Sequence, residues 1–166
     1  MSRRGLTFDL WCAHTQIPEA TDLARAFPDT TIVLDHFGGP IGIGPYAGRR
    51  DEVFADWRVS IDELARCPNV VVKLGGLNMQ INGYAWHTQA APPRSEDLMQ
   101  STRRYFEHAI DRFGPDRCML ESNFPVDKLS CSYTVLWNAF KRLTRGYSTG
   151  ERTALFRGTA ERIYRL

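Results

Sequence analysis

The chain has 166 residues, of which 43% are hydrophobic and 24% are charged, and its formal net charge is +2. These values fit one folded domain over residues 1–166 and exclude a disordered chain. Acidic and basic residues are interleaved, so no basic tract predicts binding to nucleic acid or to a membrane, and a small-molecule partner is expected. The sequence contains neither a signal-peptide core nor an apolar run of roughly 20 residues, which predicts a cytoplasmic protein.

Four short apolar segments alternate with amphipathic ones along the chain. The apolar segments predict strands over residues 5–12, 32–36, 70–74 and from 118 onward. Apolar positions spaced by three or four residues predict helices over 17–27, 51–66, 95–113 and 132–145, followed by a last helical pair ending at 163–164. Ser95 is expected to cap the third helix, and Ser148 with Glu151 forms a capping box. This alternation predicts an α/β protein with parallel strands and helical crossovers.

Each predicted strand delivers polar residues to its carboxyl end. In sequence order these are His14 and Gln16, Asp35 and His36, Lys73, and Glu121, Ser122 and Asn123. The carboxyl ends of parallel strands meet at one edge of the sheet, where ligands bind in parallel α/β folds.

Several roles remain open for these polar residues. Glu121 and Asn123, two residues apart, are expected to share a face. Glu121 is a candidate general base, a candidate metal ligand, or the partner of Lys73 in a structural ion pair. Lys73 is either a binder of a substrate carboxylate or a paired lysine.

Four segments carry a resemblance to a known family. They begin with Gly-Leu-Thr-Phe-Asp-Leu at residue 5, Phe-Pro-Asp at 27 leading to Asp-His-Phe-Gly-Gly-Pro at 35, Val-Val-Val-Lys-Leu-Gly-Gly-Leu at 70, and Glu-Ser-Asn-Phe-Pro at 121. In this order they resemble the amidohydrolase-related TIM-barrel hydrolases, in particular the branch of sugar-lactone and pyrone-dicarboxylate lactonases. The resemblance implies strands five to eight of a (β/α)8 barrel, and thus its C-terminal half. It also implies that His14 or Gln16, His36 and Asn123 line the site.

Two departures from the family pattern concern the site. The chain contains no His-x-His pair, and Asn123 stands where the family pattern Ser-Asp-x-Pro has Asp. An amide cannot act as a base, so Glu121 is expected to take that role. A divalent metal, zinc or manganese, is expected either at His14 and His36 or not at all. The four cysteines are far apart in sequence and are expected to be reduced thiols.

The leading interpretation is a hydrolase that opens a lactone or similar cyclic ester by water attack. His36, with His14, would polarise the carbonyl or hold the metal, Glu121 would deprotonate water, and Asn123 would orient water or the oxyanion. The alternatives are a non-catalytic binding or assembly module and a metal-dependent non-oxidative decarboxylase.

A half-barrel exposes two strand edges, so pairing with a second copy or with a complementing half-barrel is expected. The chain is expected to be a fragment, or to have a wrongly assigned start at Met1, and to be active only as part of a complete barrel.

Overall fold

The computed structural model describes residues 5–166, and its centre is a sheet of four parallel strands. The strands are β1 (Phe8–Leu10), β2 (Ile32–Leu34), β3 (Val70–Leu74) and β4 (Cys118–Leu120), hydrogen-bonded in that order. The helices are α1 (Ile17–Ala26), α2 (Arg50–Leu64), α3 (Ser95–Phe113), α4 (Tyr133–Leu143), α5 (Thr149–Thr153) and, after a π-helical turn, α6 (Thr159–Tyr164). A helix separates each pair of neighbouring strands, which confirms the predicted parallel α/β fold.

The two faces of the sheet carry different side chains because residues alternate along each strand. One face packs against the helices and forms the main core, with Ile32, Leu34, Val70, Val72, Leu74 and Cys118 fully or almost fully buried. The other face has a small apolar cluster of Val33, Val71 and Met119, which α6 covers with Ala160, Ile163 and Tyr164. Both faces of β2 are buried, as its continuous apolar run predicts.

Several predicted boundaries are wrong, among them the end of the second strand, which lies at Leu34 rather than at residue 36 because Asp35–Gly38 form a 3₁₀ turn. The first strand ends at Leu10 rather than at residue 12, because the backbone N–H of His14 donates to Gly39 O at 3.2 Å and draws the chain toward the loop after β2. Ser95 is the first residue of α3 rather than its cap, and its Oγ accepts from Arg142 Nε at 3.0 Å. The capping box of Ser148 and Glu151 is confirmed.

Two expectations concern the compartment and the start of the chain. No helix within residues 5–166 is both long and apolar enough to cross a bilayer. The expectation about a start at Met1 lies outside the described residues.

Candidate active site at the carboxyl edge of the sheet

His36 and Glu121 form an ion pair at the carboxyl edge of the sheet. The ring Nδ1 of His36 contacts Oε1 of Glu121, and the two side chains are 17% and 20% exposed. His36 follows β2 and Glu121 follows β4, so the pair spans β3, which lies between these strands. The structure thus pairs Glu121 with His36 and not with Lys73.

The backbone at His36 adopts a conformation that residues other than glycine rarely adopt. His36 and Phe37 have φ values of 53° and 58°, both in the left-handed region. The buried ring of Phe37 anchors this turn, and the indole N–H of Trp57 donates to Phe37 O at 2.6 Å. Backbone strain of this kind persists only where surrounding contacts enforce it, and it is concentrated at functional sites.

Two glycines after β3 let His36 and Glu121 approach each other. A Cβ on Gly76 would lie 2.6 Å from His36 Nδ1, and a Cβ on Gly75 would lie 2.2 Å from the backbone oxygen of Glu121. Gly76 also has a φ of +72°. The Gly-Gly pair therefore provides the space between β2 and β4 in which the ion pair forms.

The contact with Glu121 determines which ring nitrogen of His36 carries the proton. A carboxylate only accepts hydrogen bonds, so Nδ1 carries the proton, and Nε2 is the free acceptor while the ring is neutral. Burial by itself would lower the pKa of His36, but the hydrogen bond and negative charge of Glu121 outweigh burial and raise it. A histidine with this arrangement can take a proton at Nε2 and release it again.

Asn123 lies in the loop after β4 with a φ of +51°. Because β4 ends at Leu120, strand alternation does not set the relation of Asn123 to Glu121. The amide Nδ2 of Asn123 donates to Asp127 Oδ1 at 2.9 Å. Asp127 is fully buried, and burial raises its pKa to about 6. Asp127 could not be selected from the sequence, because no motif marks a carboxyl in a loop four residues after Asn123.

Lys73 is engaged by two carboxylates on the sheet face that α6 covers. Its Nζ lies 2.7 Å from Asp9 Oδ2 and 2.9 Å from Asp35 Oδ1, and Tyr164 OH donates to Asp9 Oδ2 at 2.7 Å. Burial would lower the pKa of Lys73, but these partners raise it. Binding of a substrate carboxylate by Lys73 stays a prediction, and it requires competition with both aspartates.

His14 and Gln16 make their contacts within their own loop and with the loop after β2. His14 is buried, its Nδ1 accepts from Ile41 N–H at 3.3 Å, and burial lowers its pKa. Gln16 Oε1 accepts from Ala13 N–H at 3.0 Å. Neither side chain is hydrogen-bonded to His36, and their predicted roles in substrate binding stay predictions.

The described residues do not by themselves complete a site for a divalent metal ion. Residues 5–166 contain no cluster of three His, Cys, Asp or Glu side chains placed to hold one. Because His14 Nδ1 accepts a hydrogen bond, the proton of the neutral ring is on Nε2, which is then a donor and not a ligand. His36 offers one nitrogen, Nε2.

All four cysteines are free and buried, as expected, and burial raises the pKa of Cys12 to about 11.

The fold and the site together define a class of protein: a parallel (β/α)4 unit with histidine, carboxylate and amide groups at its carboxyl edge, as in barrel hydrolases. Residues 1–166 match the amidohydrolase family, and the chain belongs to this family. It is 42% identical over 166 residues to the uncharacterized protein y4mH of Sinorhizobium fredii, covering 100% of this chain and 49% of the relative. It is 33% identical over 160 residues to an L-fucono-1,5-lactonase of Burkholderia multivorans, covering 96% of this chain and 51% of that protein.

Solved structures agree with this assignment. A zinc-bound amidohydrolase from Burkholderia multivorans superimposes with a TM-score of 0.84 at 31% identity, covering 99% of this chain and 54% of that one. The chain thus spans about half the length of the curated relatives it matches. The similarity confirms the predicted half-barrel, which corresponds to the C-terminal half of these amidohydrolases.

Proposed function

We propose that the chain contributes the His36–Glu121 pair to an amidohydrolase that opens a lactone or similar cyclic ester with water. The observation that carries the proposal is the contact of Glu121 with His36 Nδ1, which leaves His36 Nε2 free at the carboxyl edge. The similarity to an L-fucono-1,5-lactonase supports a sugar lactone as the substrate class.

In the proposed reaction, proton transfer runs through His36. Nε2 removes a proton from water as the water oxygen bonds to the lactone carbonyl carbon, and the carbonyl electron pair moves onto oxygen. Glu121 stabilises the resulting imidazolium. When the intermediate collapses, the ester C–O bond breaks and Nε2 returns the proton to the departing alkoxide, giving a hydroxy acid. Glu121 therefore acts on water through His36, and Asn123 orients the water.

A divalent ion is not used in this scheme. Zinc in the Burkholderia multivorans structure supports a metal in the assembled protein as a prediction, but residues 5–166 hold no group of three side chains that could bind it by themselves. Further ligands would have to come from a complementing half.

We also infer that a complementing half-barrel covers the free edge of β1. Among the described residues, β1 pairs only with β2, and Leu6, Trp11 and Phe27 nearby are each about half exposed. A groove of about 250 Å³ lies beside this edge, lined mainly by Phe8, Leu23, Phe27 and Ile32. Unpaired strand edges with exposed apolar side chains bind another strand or aggregate.

Complementation tests both proposals. The chain is coexpressed with the half of the Burkholderia multivorans lactonase that it does not cover, and the complex is assayed for release of acid from L-fucono-1,5-lactone and other sugar lactones. We expect a 1:1 complex that hydrolyses at least one lactone, while each half alone is inactive. A stable complex without activity on any lactone would contradict the proposed function, and separate halves would contradict the inferred interface.

A further inference from the structure

Asp127 is the centre of the loop that carries Asn123. Its backbone N–H donates to Asn123 O at 3.1 Å, and its own backbone oxygen accepts from the N–H groups of Ser130 and Cys131 at 3.0 and 3.1 Å. Its side chain is fully buried and its Oδ1 accepts from Asn123 Nδ2 at 2.9 Å. Both the backbone and the side chain of Asp127 therefore hold Asn123.

The burial of this carboxyl is costly and only partly compensated. Oδ2 of Asp127 and Oδ1 of Asn78 are both buried and lack a hydrogen-bond partner among residues 5–166. Burial of a polar oxygen without a hydrogen bond is unfavourable, so Asp127 Oδ2 is a cost that the fold of this loop retains. Asn123 donates the 2.9 Å side-chain hydrogen bond that Asp127 accepts, and nearby Asn78, like Asn123, opposes the rise in the Asp127 pKa that burial causes.

We propose that Asp127 is a positioning residue that fixes the amide of Asn123 with Oδ1 directed toward the attacking water. The proposal rests on the proposed hydrolysis. A carboxylate accepts only from the NH₂ end of an amide, so contact with Asp127 excludes the flipped orientation. Oδ1 of Asn123 then remains as a hydrogen-bond acceptor. A water molecule donates one O–H to it and keeps a lone pair on the water oxygen available for attack.

The groups near Asp127 come from three loops. His36 follows β2, Asn78 follows β3, and Cys131 belongs to the same loop as Asp127. The negative charge of Asp127 adds to the effect of Glu121 in raising the pKa of His36 against burial, and the charge of His36 opposes the rise that burial causes in the pKa of Asp127. The charge of Asp127 also contributes to the raised pKa of the Cys131 thiol.

A double-mutant cycle in the complemented enzyme tests the positioning role. We expect Asp127→Asn to lower kcat about 10- to 100-fold, since misplacement of a reacting group costs rate, with KM little changed. In an Asn123→Ala background the same substitution should cost less than about twofold. Exposed Asp111 on α3 is the matched control, and Asp111→Asn should leave kcat unchanged. Equal losses from Asp127→Asn in both backgrounds would overturn the proposal.

A pH titration followed by NMR tests the contact between Asn123 and Asp127 without an activity assay and without a substitution of Asp127. The side-chain NH₂ signals of Asn123, assigned in ¹⁵N NMR spectra by their loss in Asn123→Ala, are followed from pH 4.5 to 8. They should shift with a midpoint near the Asp127 pKa of about 6. Signals that do not move would overturn the positioning role. Failure of all lactones in the assay, with the NMR shift present, would instead reject the proposed function alone.

Discussion

Gly76 is the residue whose side-chain volume controls the His36–Glu121 contact. In Gly76→Ala the new Cβ would lie 2.6 Å from His36 Nδ1 and 2.7 Å from Cγ, both in a ring held by the buried turn at residues 35–38. The ring cannot keep its place against this methyl group. We therefore expect the substitution to weaken the ion pair as well as the fold.

Two contributions make up the expected loss in the free energy of unfolding of Gly76→Ala. An L-residue in the left-handed region costs roughly 1–2 kcal/mol, and this applies at Gly76, where φ is +72°. Overpacking of a filled site adds about 1–3 kcal/mol. Gly48 is a matched control because its φ is +76° and no atom lies within 4 Å of the Cβ that alanine would add. Gly48→Ala should show the conformational part alone.

Urea unfolding and NMR titration measure the two consequences. The free energy of unfolding of Gly76→Ala should fall below that of Gly48→Ala by about 1–3 kcal/mol, and the pKa of His36 should fall in Gly76→Ala only. Equal stabilities with an unchanged pKa of His36 would refute the claim that Gly76 makes room for the pair.

Further predictions concern the two ion-pair clusters. Glu121→Gln should lower the pKa of His36, because Glu121 raises it; an unchanged ring titration by NMR would contradict the pairing. Since the folded-state pKa of His36 is above its unfolded value, the stabilisation is complete below about pH 6.5 and is lost as pH rises through the folded-state pKa. The stability difference between wild type and Glu121→Gln should therefore be larger at pH 5.5 than at pH 8.5 in urea unfolding. Lys73→Met should lower the free energy of unfolding by about 2–4 kcal/mol, because it leaves Asp9 and Asp35 side by side without their shared cation, whereas exposed Lys128→Met should change it by less than about 0.5 kcal/mol. Equal effects of the two lysine substitutions would show that the Lys73 cluster is not stabilising.

The strands and helices were largely predictable from local sequence patterns. The run of Val70 to Leu74, bounded by polar residues and Gly75, predicted β3 with its observed ends, because a short apolar run between chain-breaking residues has few alternatives. The first strand was predicted too long because its end depends on a hydrogen bond to Gly39, a residue distant in sequence.

The site was predictable in location but not in its pairings. Position at the strand ends indicated His36 and Glu121. Their contact, however, joins residues 85 apart in sequence, and it depends on strand register and on space at Gly75 and Gly76. Asp9 was missed as a partner of Lys73 for the same reason, since 64 residues separate the two in sequence. Such contacts follow from the assembled sheet and leave no local sequence signal.

The most direct test of the central claim compares two histidines in the complemented enzyme. His36 pairs with Glu121 at the carboxyl edge, whereas His108 on α3 makes a similar contact, 2.8 Å from Asp62 Oδ1, on the helical layer. Initial rates of lactone hydrolysis should fall about 100-fold or more in His36→Ala and change little in His108→Ala. Equal rates for the two variants would contradict the assignment of His36 as the proton carrier.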